Sequence, residues 1–343
     1  MDEKNNYRPM ERNIAMELVR VTEAAAMAAA QHLGKGDKEL VDGAAVHAMR
    51  NVLGFVRMDG IVVIGEGEKD EAPMLYIGEK IGDGSDPKVD IAVDPVDGTT
   101  LTARGLSGAI AVVALSARGT MHCPRNLVYM NKIVTSSEAK HVLDIDAPVS
   151  ENIRRVAAAK GKKISEITVV VLDRPRHDKL LKDIRHAGAR VKLISDGDIA
   201  ASIEAALPDT DVDMLMGIGG TTEGVLSAAA IRCIDGCIQC KGWPRDEKEK
   251  QAAIERGDDL KKVYCTEDLI SSDDVFFAAT GVSTGNLLKG VRYFSGGATT
   301  QSIAMRGRSG TLRWVDARHN FSKLAKLDDT SYVKDRKWSQ SSK

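Results

Sequence analysis

Little in this sequence could stack on nucleobases or neutralise a phosphate backbone. Aromatic residues make up 4% of its 343 residues, and 48 lysines and arginines stand against 49 aspartates and glutamates, a formal net charge of −1. Duplex nucleic acid is bound through a surplus of Lys and Arg, and single strands through aromatic platforms, so a nucleic-acid partner is not expected. Apolar runs are short. None approaches the ~20 residues of a membrane-spanning helix, and Met1-Asp2-Glu3-Lys4-Asn5-Asn6 has neither the basic region nor the apolar stretch of a secretory leader. A cytoplasmic protein without a membrane partner is the expectation. Cysteine is sparse and odd in number, five in all (Cys123, Cys233, Cys237, Cys240 and Cys265), which argues against a secreted disulfide framework.

What is present is the composition of a globular protein, 43% hydrophobic and 28% charged, with enough chain for about two domains. Helical spacing of Ile14, Leu18, Val21 and Ala25, then of Val41, Ala45, Ala48 and Val52, predicts helices over 12–33 and 38–53, separated by Gly34 and Gly36. The β-branched runs 61–64 and 89–93 read as strands, each ending at carboxylates. From residue 168 the rhythm changes. Strands at 168–172, 191–194 and 212–216 alternate with helices near 177–187, 198–206 and 223–234, the pattern of an α/β fold whose parallel sheet is covered by helices. Further strands are expected at 275–279, 296–305 and 311–316. The division expected is 11–145, 146–319 and polar tails at 1–10 and 320–343, with a soft boundary near 140–150 that allows two stacked sheets to share one interface.

Ligands of open α/β sheets bind beyond the carboxyl ends of strands. Reading those positions gives acids, arginines and glycines. The densest is Asp94-Pro95-Val96-Asp97-Gly98-Thr99, where Pro95 is expected to stop the strand and a turn to bring Asp97 back towards Asp94. Two such carboxylates repel unless a cation lies between them, and hard oxygen ligands suit Mg²⁺ or Mn²⁺ in a site that clamps a phosphoryl group. An Asp-Pro turn with Thr99 as a helix cap is the plain alternative. Glu66 and Glu223 end two further strands; Glu223 also suits the first turn of a helix. Asp42, on an Ala- and Val-rich helix, reads as a solvent-facing acid.

Arg174 and Arg176 flank Pro175 after a strand, placed either to hold a phosphate remote from the metals or to form surface ion pairs. Asp196 and Asp198 around Gly197 suit sugar hydroxyls, or an Asx turn and helix cap. Histidines lack zinc spacing, and His177 reads as a helix-start residue. Cys233-x3-Cys237-x2-Cys240 has the spacing of an iron–sulfur site, but too little chain follows for the barrel such enzymes build, so these are read as small, partly buried thiols.

Together, Gly65-Glu66-Gly67-Glu68 with Asp70-Glu71-Ala72-Pro73-Met74-Leu75-Tyr76-Ile77-Gly78-Glu79-Lys80, Asp90-Ile91-Ala92-Val93-Asp94-Pro95, Arg174-Pro175-Arg176-His177, Asp196-Gly197-Asp198 and Gly217-Ile218-Gly219-Gly220 resemble class II, GlpX-like fructose-1,6-bisphosphatases over about residues 11–319. Asp-Pro-x-Asp-Gly-Thr alone is similar across the wider lithium-sensitive phosphatase superfamily, inositol monophosphatases included. The resemblance implies a layered αβαβα sandwich and Mg²⁺- or Mn²⁺-dependent hydrolysis of the 1-phosphate of fructose 1,6-bisphosphate in gluconeogenesis. It implies metal ligands at Asp42, Glu66, Asp94, Asp97 and Glu223. Substrate contacts fall at Asp97-Gly98-Thr99, Tyr129, Arg174-Pro175-Arg176, Asp196-Gly197-Asp198 and Gly220, and Lys38, Asp70 and Thr99 fall where groups assist the chemistry. A homodimer or homotetramer is implied as well. Asp97 stands where members usually have Glu, and Thr222 replaces the usual Pro. The alternatives kept open are a sedoheptulose-1,7-bisphosphatase, an inositol-phosphate phosphatase and a non-catalytic sugar-phosphate sensor.

Overall fold

A computed structural model describes residues 14–67, 74–124 and 126–326. Two mixed sheets form its frame. The first contains β1 (Asp59–Ile64), β2 (Lys80–Ile81), β3 (Lys88–Asp97), β4 (Ile110–Ala117), β11 (Val275–Gly281), β12 (Arg292–Phe294), β13 (Gly297–Arg306) and β14 (Thr311–Asn320), in the order β12-β13-β11-β4-β3-β1-β2 with β14 along β13. The second contains β5 (Tyr129–Thr135), β6 (Thr168–Leu172), β7 (Arg190–Ile194), β8 (Met214–Gly220), β9 (Cys237–Gly242) and β10 (Val263–Cys265), in the order β10-β9-β5-β8-β6-β7. Only β6–β7 and β6–β8 in this second sheet are parallel; β5 enters antiparallel to both β8 and β9. The parallel pairing expected of the strands near 168–172, 191–194 and 212–216 is thus found in β7-β6-β8, and the antiparallel part comes from a strand at 129–135 that lies outside the strand–helix rhythm.

Helices complete five layers. α1 (Ile14–Ala30) and α2 (Lys38–Leu53) cover the outer face of the first sheet. The short α3 (Thr99–Arg104) follows β3. α4 (Val149–Ala159) and α5 (Asp178–His186) cover the outer face of the second sheet. Between the sheets lie α6 (Asp198–Ala206) and α7 (Thr221–Cys233), gripped from both sides. α8 (Glu247–Glu255), α9 (Thr266–Leu269) and α10 (Phe321–Leu324) are peripheral. This is the αβαβα sandwich. Strands covered on both faces are apolar throughout: along β4, Ile110, Val112 and Ala114 face the shared middle layer while Ala111, Val113 and Leu115 face α1 and α2. Phe276 and Phe277 on β11 do the same, each fully buried and worth about 1.5–3 kcal/mol.

The first sheet draws strands from both sides of residues 145–146, and the second takes β5 from before that point. At the C-terminal end the chain continues past the expected tail boundary. β14 reaches Asn320, whose side chain accepts from the Lys323 N–H, and Phe321 is buried with Met27 and Ala298. The tails at 1–10 and beyond residue 326 lie outside the described residues.

Candidate active site

Five segments bring the acids to one cleft: α2, the ends of β1 and β3, the turn into α6 and the start of α7. α2 opens with Asp37, whose carboxylate accepts from the Leu40 N–H, and one helical turn places Lys38 and Asp42 on the same face. β1 ends at Ile64, and Glu66 follows a Gly65 that lies against the Leu75 carbonyl, where an added Cβ would be 1.9 Å from that oxygen. Lys38, Asp42, Glu66, Asp94, Asp97 and Thr99 line a cavity of about 470 Å³, together with Gly98, Asp196 and Glu223. Asp42 is thereby corrected from solvent-facing acid to cleft residue. Asp70 lies outside the described residues.

The turn expected at Pro95 is instead a β-bulge. β3 continues to Asp97, with Asp94 opposite Val112 and Asp97 opposite Ile110, so three steps on one strand face two on the other. Proline, lacking an N–H, is accommodated where the ladder is already interrupted. The Asp94 carboxylate accepts from the Val96 N–H at 3.1 Å, and Gly98, at φ 93°, turns the chain into α3. Thr99 donates its hydroxyl proton to the Val96 carbonyl at 3.0 Å.

Burial first, then mutual repulsion, pushes the carboxyls up. Asp94 is held well above the usual range by burial and by Asp97, Glu223 and Glu66; Asp97 by burial and by Asp198, Glu223 and Asp196. Glu66 is raised to about 7 by burial and by Asp42, with which it shares a hydrogen bond, and Asp42 is raised too, chiefly by burial. Such a cluster fits positively charged guests. Among the described residues no three His, Cys, Asp or Glu side chains converge as a ready-made ligand cage.

The second sheet supplies the other end. The Gly217–Gly220 segment, beyond the strand expected at 212–216, is the end of β8, paired with Tyr129 to Lys132 of β5. Its glycines make room for side chains. A Cβ on Gly219 would meet the Asp198 carboxylate at 2.1 Å and the Lys132 ammonium at 2.8 Å, and one on Gly220 would meet the Glu223 carboxylate at 1.9 Å. Glu223 sits in the first turn of α7, accepting from the Thr222 hydroxyl at 2.9 Å. Arg174 donates to the Ser195 carbonyl and lies 3.6 Å from Asp196; Pro175 starts a short 3₁₀ turn; Arg176 donates to the Ile218 carbonyl and stands 5.4 Å over the Tyr129 ring. Asp196 thus faces both the acid cleft and the arginines. Gly197, at φ 80°, leads into α6, and Asp97 accepts from the Ile199 N–H at 3.2 Å, joining the first sheet to the middle layer.

One residue here escapes sequence reasoning, and a second, His177, stands at a helix start as expected but with a role that was not read. Lys132 is fully buried and pairs with Asp198 at 2.8 Å; burial pulls its pKa down, but Asp198 and Glu223 outweigh that and hold the ammonium charged. A lone Lys in Tyr129-Met130-Asn131-Lys132-Ile133 gives no hint of this. The available signal is the excess of glycine in β8, which leaves space for something to enter. His177 is a buried strut: its Nδ1 donates to the Leu172 carbonyl and its Nε2 accepts from the Ile218 N–H, each at 2.7 Å, fixing the neutral tautomer beside Arg176. The three cysteines do not meet. Cys237 packs on the outer face of the second sheet and Cys233 and Cys240 on its inner face, and burial raises all three thiols, Cys237 and Cys240 to about 12.

Comparison with known proteins identifies the family. The family model of bacterial fructose-1,6-bisphosphatase, glpX-encoded, matches residues 12–319. The class 2 fructose-1,6-bisphosphatase of Haemophilus influenzae is 45% identical over 331 residues, covering 93% of this chain and 99% of that protein. Fructose-1,6-bisphosphatase 1 class 2 of Escherichia coli K12 is 45% identical over 324 residues, 90% and 96% of the two chains. With the match running from α1 to the end of β14 and taking in every strand end that carries an acid or an arginine, the chain belongs to the glpX-encoded bacterial fructose-1,6-bisphosphatase family.

Proposed function

We propose that this chain hydrolyses the 1-phosphate of fructose 1,6-bisphosphate, with divalent cations of the Mg²⁺ or Mn²⁺ type at the Asp94 cleft. One observation carries the reading: a single surface separates acids from arginines, with Asp196 touching both sets. A molecule with one phosphate to be cleaved and a second to be held fits that separation. The names of the related proteins point the same way.

In this reading Asp42, Glu66, Asp94, Asp97 and Glu223 hold the cations. Such ions would lower the pKa of a bound water below the about 15.7 of bulk water and would neutralise charge on the phosphoryl group. Thr99 has committed its proton to the Val96 carbonyl, so towards the cleft its oxygen accepts, and it orients a water by taking that water's hydrogen bond. Lys38, at the rim, offers a cation to the departing phosphate. Arg174 and Arg176, each braced by a backbone carbonyl, grip the remote phosphate beside Tyr129, and the Asp196-Gly197-Asp198 turn receives sugar hydroxyls. Asp70 and Gly220 complete the proposed set, the latter by leaving space for Glu223.

Phosphate release from fructose 1,6-bisphosphate with Mg²⁺ or Mn²⁺, lost on chelation, is the expected result. Absence of release with either ion sinks the proposal, and calorimetric binding without turnover replaces it with a sensor. Sedoheptulose 1,7-bisphosphate in the same assay measures how strictly the sugar is read.

A further inference from the structure

A third guanidinium reaches the ring that Arg176 covers. Arg245 lies 5.7 Å from the Tyr129 centroid, against 5.4 Å for Arg176, and Trp243 meets the same ring edge-on at 6.4 Å. We propose that Arg245 is a third arginine of the remote-phosphate subsite and sets the preference for sugar bisphosphates over monophosphates. The proposal rests on the bisphosphatase reading above.

Arg245 is held in place from two sides. The Trp243 N–H donates to the Tyr129 carbonyl at 2.9 Å, so the segment carrying Arg245 leaves β9 tied to the first residue of β5. On the far side Glu249 of α8 accepts from the Arg245 backbone N–H at 2.7 Å and from its Nε at 2.6 Å, and the same carboxylate contacts Nη2. A guanidinium has five N–H donors in a rigid fork, and one carboxylate occupies one edge of it. The remaining donors are open to solvent, since the side chain is 55% exposed. Arg174 and Arg176 are braced differently, by backbone carbonyls, Nη1 of Arg174 donating to those of Asp173 and Ser195 and Nη2 of Arg176 to that of Ile218.

A surface ion pair that only supported α8 would need none of this. Exposed Arg–Glu pairs contribute little to stability, and α8 already has its cap, Asp246 accepting from the Glu249 N–H. Arg176 and Arg245 meet over one aromatic ring, Arg245 alone having a carboxylate partner, and an anion with several acceptor oxygens can bridge the two forks. Phosphate matches: its oxygens accept from several planar forks at once.

The test compares Arg245→Gln and Arg245→Lys with the unaltered protein. For Arg245→Gln the ratio of kcat/KM for fructose 1,6-bisphosphate to that for p-nitrophenyl phosphate is expected to fall about tenfold, through KM. Arg245→Lys, keeping the charge without the fork, falls in between. Lys250→Gln, which removes an ion pair with Glu247 on the same helix, leaves the ratio in place and so controls for charge at a distance. Calorimetry with fructose 6-phosphate, which carries only the remote phosphate, is expected to show a Kd about tenfold weaker for Arg245→Gln. An unchanged ratio or an unchanged Kd overturns the proposal, as does an equal loss on both substrates or a failure of the unaltered protein to bind fructose 6-phosphate. If the unaltered protein released no phosphate at all, the bisphosphatase reading would fail by itself, and the fructose 6-phosphate titration would still decide the role of Arg245.

Discussion

Asp90 and Asp94 lie four residues apart on one strand, and their surroundings are opposite. The carboxylate of Asp90, at the interior of β3, accepts from the Gly119, Thr120 and Met121 N–H groups and has Arg118 at 3.6 Å. Asp94, at the bulge, accepts one backbone N–H and faces Asp97, Glu223 and Glu66. Asp198 resembles the first case, because Lys132 is built in beside it. Among the described residues no Lys or Arg is ion-paired with Asp94 or Asp97. The protein therefore has two kinds of acid. Some are satisfied by the fold, and others are left in need of a positive guest.

The sharpest break of this comparison is Asp94→Asn. Catalysis is expected to fall by about four orders of magnitude, on the order of 5 kcal/mol, while the melting temperature stays level or rises because a repelling charge is gone. Phosphate-release kinetics beside a thermal melt read both, and a drop in melting temperature would place Asp94 with Asp90. Next is Lys132→Met, which strands a buried Asp198 carboxylate at a cost of about 3–4 kcal/mol; adding Asp198→Asn should recover most of it. Denaturant unfolding of the single and double variants decides whether the pair acts as a unit.

Asp90→Asn reverses the Asp94 result: about 2 kcal/mol of stability is lost as charge-assisted hydrogen bonds weaken, and kcat changes little. Glu23 offers a smaller refinement. It is buried, accepts from the Thr300 hydroxyl at 2.9 Å, and burial raises its pKa from 4.5 to about 7. The folded protein holds this proton more tightly than the unfolded chain does. Its stabilising contribution is therefore full below about pH 4.5 and is lost as pH rises through about 7. Glu23→Gln should gain on the order of 1–2 kcal/mol at pH 8 and nothing at pH 4, measured by melts at both.

Much of the acid cleft was legible because strand ends and acid-bearing turns coincide in the sequence: Glu66, Asp94 and Glu223 all follow apolar β-branched or glycine-rich runs. Composition alone left Asp42 ambiguous, since a helix with small residues on several faces does not announce which one meets a neighbour. The bulge at Pro95 was hidden because proline argues equally for a turn and for a break in a ladder. β5 was hidden for another reason: it is an antiparallel insert among strands whose order follows a parallel rhythm, and its Lys132 reads as polar until Gly219 and Gly224 are seen to flank it. Phe321 escaped because one aromatic in a polar stretch carries no periodicity.

The middle layer has a mechanical consequence. Asp198 and Glu223 stand at the starts of α6 and α7, whereas Asp94 and Glu66 belong to the first sheet. The distance across the cleft is therefore a gauge of how closely one slab of helices seats on a sheet. A bulky side chain wedged at Ala229, buried in that slab, would be read out as lost turnover by acids it never touches.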